Sequence, residues 1–153
     1  VAHDPTSDEL AIQRLAAAYT DAVNRNAPAE AAATYAPHGA LTMMERPPVE
    51  GRTAVAEFLA ATFARYDLVA QTTHSGVVHV MGDVAHARWQ VSEMQRPSTG
   101  GSVLIIGRYE DELIRLPQGW RFTRRRFTAR YHGDSALTDP VLPDRPVLFQ
   151  FPL

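Results

Sequence analysis

Two side chains in this chain of 153 residues stand where proton chemistry needs them, on stretches that otherwise read as apolar. His74 steps in phase with Gly76, Val78 and Val80, which places an imidazole on an apolar strand face. Imidazole has an unperturbed pKa of about 6.5 and passes a proton either way near neutrality. Glu93 continues the phase of Ala85, Ala87, Trp89 and Val91. Desolvation there raises the pKa of a carboxyl and suits it to general acid or base work. Each residue also has a plain structural reading: a core histidine satisfied by a polar neighbour, and an exposed acid at the strand end beside Pro97. Asp21, near the end of the first helix, is a further acid, either surface charge or a partner in proton transfer.

Composition narrows the chemistry. The chain has no cysteine, and all fifteen basic residues are arginine. Thiolate nucleophiles, thiolate metal centres, Schiff-base lysines and the lysine of a Walker phosphate loop are therefore excluded. A formal net charge of −2 argues against a nucleic-acid partner. Arg124, Arg125 and Arg126 do not reverse this, because successive strand residues point to opposite faces and cannot form one flat patch. Cross-strand pairing with Glu110, Asp111 and Glu112 on the sheet surface is expected instead. Arg125 or Arg126 remains a candidate to meet a substrate carboxylate at a pocket mouth. His79 and His86 flank the Gly82-Asp83 turn, but two ligands without a third on the same face do not make a metal site. No metal and no cofactor are expected. No apolar run approaches the ~20 residues that cross a bilayer, and the first residues are polar and acidic. A cytoplasmic protein with no membrane partner is the expectation.

Three helices and a long meander of strands must position these groups. Ser7 is placed to cap a helix whose apolar positions Leu10, Ala11, Leu15, Ala18, Tyr19, Ala22 and Val23 recur at helical spacing to about residue 25. Pro28 suits the first position of a short helix, Ala29 to Tyr35, followed by a strand over Ala40 to Glu45 and a loop to Gly51. Thr53 starts a third helix through Tyr66. Strands follow at Val69 to Met81, Val84 to Gln95, Val103 to Leu116 and Trp120 to Tyr131, joined by hairpin turns. This is an α+β plan in which a curved antiparallel sheet buries one face against N-terminal helices. The tail after His132 holds four prolines and cannot be regular. Its Val147, Leu148, Phe149 and Phe151 are too apolar for a solvated tail, so they are expected to pack on the domain or on a second subunit.

The segments LAAAYTDAVNRN, TYAPHGAL, GRTAVAEFL, TTHSGVVHVMGDVAHARW and GRYEDELIRLPQGWRFTRRRF resemble the SnoaL-like family of the nuclear transport factor 2-like superfamily. They are similar to its branch of scytalone dehydratase, bile-acid dehydratases and small polyketide cyclases. The resemblance covers about residues 7–132, and the chain is expected to be a single domain with a C-terminal tail over 133–153. It implies a cone with a deep apolar pocket, closed on one side by the helices, and a homodimer through the outer sheet face. It also implies roles. Thr72-Thr73-His74 matches the segment in which the family's dehydratases carry a pocket histidine that acts as general acid or base. Tyr19 matches an aromatic position, and five residues beyond it, where relatives carry an aspartate that partners the histidine, this chain has Asn24. An amide cannot take over the proton, so Asn24 becomes either a substrate hydrogen-bonding group or a helix terminator. Glu93 falls where a second catalytic histidine lies in scytalone-dehydratase-like proteins. Tyr35, Trp89 and Met43 are expected pocket wall, Met43 standing where the dehydratases place a second tyrosine.

The resulting expectation is a cofactor-free acid–base enzyme, a cyclase, dehydratase or isomerase, acting on a small apolar oxygenated metabolite such as a polyketide, terpenoid or steroid. His74, Asp21, Glu93 and Tyr19 are its candidate catalytic groups; Asn24, Tyr35, Met43, Trp89, Arg125 and Arg126 are its candidate binding groups. A non-catalytic ligand-binding or assembly module on the same fold is the alternative. Fold alone does not choose between them.

Overall fold

Asp4, not Ser7, opens the first helix. The computed structural model describes residues 4–143 and 145–152, and in it α1 runs Pro5–Asn24 with the Asp4 carboxylate accepting from the Thr6 and Ser7 N–H groups. Pro5 at the first helical position has no N–H to satisfy, which favours the earlier start. One stripe of α1, formed by Ile12, Ala16, Tyr19, Ala22 and Val23, is buried. Asn26, with φ at 54°, turns the chain, and Pro28 starts α2, Pro28–Ala33. That helix ends two residues before the expected Tyr35. Tyr35 instead begins β1, Tyr35–Met43, because the chain there pairs in parallel with the last strand. A tertiary contact has overridden local helix propensity.

The loop expected over residues 46–51 contains a two-residue strand, β2, Val49–Glu50, which pairs back on β1. Then α3, Arg52–Phe63, leads into the meander of β3, Tyr66–Met81, β4, Val84–Pro97, β5, Val103–Leu116, and β6, Gly119–Gly133. The six strands form one curved sheet in the order β2-β1-β6-β5-β4-β3. All pairings are antiparallel except β1 with β6. The sheet does not close into a barrel, so β2 and β3 are its two edges. The α+β architecture is the expected one, with α1 lying over β3 and β6 and α3 packing on β1 and α2.

The tail returns across the outer side of the sheet without regular structure. The Leu142 N–H donates to the Arg130 carbonyl, the Arg108 guanidinium donates to the Arg145 carbonyl at 2.7 Å, and the Leu148 N–H donates to Glu110 at 2.7 Å. Phe149 stacks on His86 with ring centroids 3.8 Å apart, and Arg88 sits over Phe151. The apolar end of the tail therefore covers outward side chains of β4 and β5 in its own chain. Among the described residues no helix is long and apolar enough to cross a membrane.

Candidate active site

The edge strand β3 carries an irregularity that decides where its polar side chains go. Thr73 pairs with Val91 and Gly76 pairs with Trp89, so His74 and Ser75 together face the single residue Gln90. This is a β-bulge, which bends the strand and shifts its side-chain phase by one. Thr73 and Gly76 consequently both lie on the concave face, and a Cβ at position 76 would collide with the Trp89 ring and the Arg88 carbonyl. The alternation that joined His74 to Gly76, Val78 and Val80 is broken at that point. His74 is exposed and its Nε2 lies 2.9 Å from the Ser92 hydroxyl, on the opposite side of the sheet from Val91 and Glu93. Its place on the concave face is taken by Thr73, whose hydroxyl meets that of Thr20 on α1 at 2.7 Å.

The bulge opens a groove of about 590 Å³ between α1 and β3. His74, Asp21, Asn24 and Trp89, four of the residues singled out from the sequence, line it together with Thr20, Thr73 and Gln71. The groove's walls are mixed: Ala16, Ala17 and the Trp89 ring supply apolar surface beside amide, hydroxyl and carboxylate groups. The Asp21 carboxylate pairs with Arg25 at 2.8 Å on the exposed side of α1. Asn24 ties the end of α1 to β3 by a two-point hydrogen bond with the Gln71 backbone. Met43 lies elsewhere, in a small cleft with Pro47, Val49 and Phe58.

Below the groove the interior of the cone is filled. Tyr19, Tyr35, Tyr109 and Phe122 pack edge-on or tilted, with ring centroids 5.5 to 6.3 Å apart. Such aromatic pairs contribute roughly 0.5–1.5 kcal/mol each beyond area burial. Arg125 is 1% exposed among them, its guanidinium carbon 3.9 Å from the Phe122 centroid, 4.2 Å from Tyr109 and 4.5 Å from Tyr19. It grips Asp111 by two hydrogen bonds of 2.8 and 2.7 Å, and Asp111 also accepts from the Trp89 indole at 2.9 Å. Burial opposes the charge on Arg125, but the Asp111 carboxylate outweighs it and the guanidinium pKa is raised. Burial likewise raises the pKa of the Tyr19, Tyr35 and Tyr109 hydroxyls, which stay protonated.

The expected ladder of acids and arginines is present, with Glu110 opposite Arg126, Asp111 opposite Arg125 and Glu112 opposite Arg124. Its middle rung is not on the sheet surface, however, because strand alternation turns Asp111 and Arg125 into the core. Arg125 therefore cannot reach a pocket mouth. Arg126 points to the outer face, in a cleft with Thr42, Thr128 and Arg145.

Glu93 remains on the concave face and half-buried. Gln71 donates to one of its oxygens at 2.7 Å and Gln95 donates to the other, while the Gln71 amide also reaches the Tyr109 hydroxyl at 3.3 Å. Burial raises the Glu93 pKa above the ordinary 4.5; the two amide donors, and then nearby His132, oppose the shift without cancelling it. Gln71, Glu93, Ile105 and His132 stand in one register row across β3, β4, β5 and β6. Gln71, Gln95 and His132 were not singled out from the sequence. Gln95 could have been, since it extends the buried phase of Glu93 by one step. Among the described residues no group of three or more His, Asp or Glu side chains is placed to hold a metal ion.

The profile of the SnoaL-like domain family matches residues 4–126 of the chain. Curated protein sequences give no significant match. Among solved structures, a Novosphingobium aromaticivorans protein provisionally named an aromatic ring hydroxylase is 27% identical, with a TM-score of 0.78 over 83% of this chain and 92% of the other. A Mycobacterium tuberculosis protein of unknown function is 25% identical, with a TM-score of 0.73 over 84% of this chain and 78% of the other. A second N. aromaticivorans protein, provisionally named a scytalone dehydratase, is 18% identical and shares the fold, with a TM-score of 0.80 over 95% of this chain and 97% of the other. The family match spans both helices and strands that carry the groove, and the chain belongs to the SnoaL-like family of the nuclear transport factor 2-like fold.

Proposed function

We propose that the chain works as one SnoaL-like unit and is an acid–base enzyme of the lyase, isomerase or cyclase type, in which Glu93 exchanges the proton. The observation that carries this reading is the desolvated Glu93 carboxyl, clamped by two amides on the concave face. Its raised pKa keeps a larger protonated fraction near neutrality, where it can protonate a departing hydroxyl or an enolate carbon. One relative of the same fold carries the provisional name of a scytalone dehydratase, and dehydration is chemistry of this class. The α1–β3 groove, which sets hydroxyl and amide groups beside Ala16, Ala17 and Trp89, suits a small molecule with an apolar skeleton and polar oxygen groups. His74, held by Ser92 at the groove rim, contributes to binding an oxygen rather than to a histidine–carboxylate dyad.

A second reading, a ligand-binding module without turnover, is favoured by the two-point engagement of Asn24 and by the turn of His74 towards Ser92. Solvent deuterium exchange and dehydration of small β-hydroxy carbonyl compounds, followed by NMR, separate the two. Glu93→Gln is expected to lower turnover by about 10²–10⁴-fold, and His74→Ala to raise KM more than it lowers kcat. Full turnover in Glu93→Gln rejects the role of Glu93; no turnover in the unsubstituted chain, with retained ligand binding, favours the binding module. We also propose that self-association uses the outer face beside the tail, where Leu68, Val77, Met81 and Met94 are exposed. Sedimentation at the monomer mass overturns that.

A further inference from the structure

Glu93 does not stand alone on its row. Glu93 on β4 pairs with Ile105 on β5, and Ile105 pairs with His132 on β6, so the carboxyl and the imidazole flank one aliphatic side chain on the same face. Two strand spacings of about 4.8 Å put their Cα atoms roughly 10 Å apart, so a molecule that meets both groups lies over the Ile105 side chain between them. Ile105 is half-buried and His132 exposed, so this row opens to solvent at the end of the sheet. A second observation points to a ligand there. The side-chain carbonyl oxygens of Gln71 and Gln95, residues only 5% and 8% exposed, have no hydrogen-bond partner. Buried acceptors without donors are costly, and hydroxyl groups of a bound molecule would satisfy them.

We propose that His132 is the second proton-transfer group of the site, acting across Ile105 from Glu93 on a hydroxylated substrate whose hydroxyls donate to Gln71 and Gln95. The inference rests on the reading of Glu93 as the proton-exchanging group. In an elimination, neutral His132 takes the proton from the carbon next to the carbonyl. The C–H electron pair becomes the new C=C bond and the C–O bond to the hydroxyl breaks. The oxygen departs with the Glu93 proton as water. Imidazolium and carboxylate remain, and proton exchange with solvent restores both. Besides His132, the ionisable groups whose charge reaches Glu93 are Tyr19 from α1 and Tyr109 from β5, both kept neutral by burial.

His132→Gln and Glu93→Gln test the pair, since exposed His132 can be replaced without disturbing the core. The unliganded protein is first titrated by ¹³C NMR of its glutamate carboxyls: His132→Gln is expected to move the Glu93 titration upward, and an unchanged titration overturns the pairing. In the deuterium-exchange and dehydration assay, His132→Gln is expected to lower kcat by about 10²-fold or more with little change in KM. Full kcat in His132→Gln beside an inactive Glu93→Gln overturns the role of His132 and leaves that of Glu93 standing. An active Glu93→Gln overturns both.

Discussion

Asn24 holds the Gln71 backbone at both ends of its side-chain amide: Nδ2 donates to the Gln71 carbonyl at 2.9 Å, and Oδ1 accepts from the Gln71 N–H at 2.7 Å. The end of α1 thus supplies the open edge of the sheet with the pair of hydrogen bonds a further strand would give. A carboxylate can make only the second of these bonds, because it has no donor. The amide is the residue type this contact requires.

Asn24→Asp is therefore expected to cost about 1 kcal/mol, the net worth of one hydrogen bond, and not to create a dyad with His74. Urea denaturation should show a lower midpoint with an unchanged slope. A midpoint within error of the parent would show that the Asn24 donor adds nothing to the join of α1 with β3.

Gly76→Ala tests the bulge. The added Cβ meets the Trp89 ring and the Arg88 carbonyl, and the latter is backbone that cannot swing away. A loss of about 1–3 kcal/mol is expected, typical of overpacking, with a change in Trp89 fluorescence. Val78→Ala, on the same face without that close approach, provides the comparison and should leave the fluorescence near that of the parent.

Asp111→Asn leaves the Arg125 guanidinium buried among three aromatic rings without its counter-charge. Removing one partner of such a pair typically costs about 3–5 kcal/mol. A chemical-denaturation midpoint within error of the parent would show that Arg125 escapes to solvent when released.

Glu93 makes stability depend on pH in a stated direction. Its folded pKa is raised above 4.5, so between the unfolded and folded values the native state binds more protons. The stabilising contribution is present below the unfolded value and is lost as pH rises through the folded one. Relative to Glu93→Gln, the parent protein should become progressively less stable as pH rises from about 4.5 towards neutrality. Urea midpoints of both proteins across that window check the sign; a constant difference contradicts it.

Much of this molecule is legible along the chain because helices and hairpins announce themselves by local periodicity. The end of the α1 stripe at Tyr19, Ala22 and Val23, the Gly82-Asp83 turn and the pairing of Glu110 to Glu112 with Arg124 to Arg126 follow from residue spacing, whereas Leu10, Ala11 and Ala18 are exposed and Ile12 and Ala16 are buried in their stead. The sequence also determined that proton transfer had only His, Tyr, Asp and Glu side chains to draw on, and it carried the family resemblance. Tertiary structure decided which of those groups share a face. The bulge at His74 and Ser75 shifts the strand by one residue, and a period of two converts that into a change of side; only the pairing with β4 shows it. The burial of Asp111 and Arg125 depends on a partner fourteen residues away and on aromatic rings from α1 and β6. The parallel join of β1 to β6 and the docking of the tail on β4 and β5 are likewise contacts between distant segments. Periodicity records how a residue relates to its near neighbours, whereas desolvation, charge pairing and facing are set by whatever the rest of the chain brings against it.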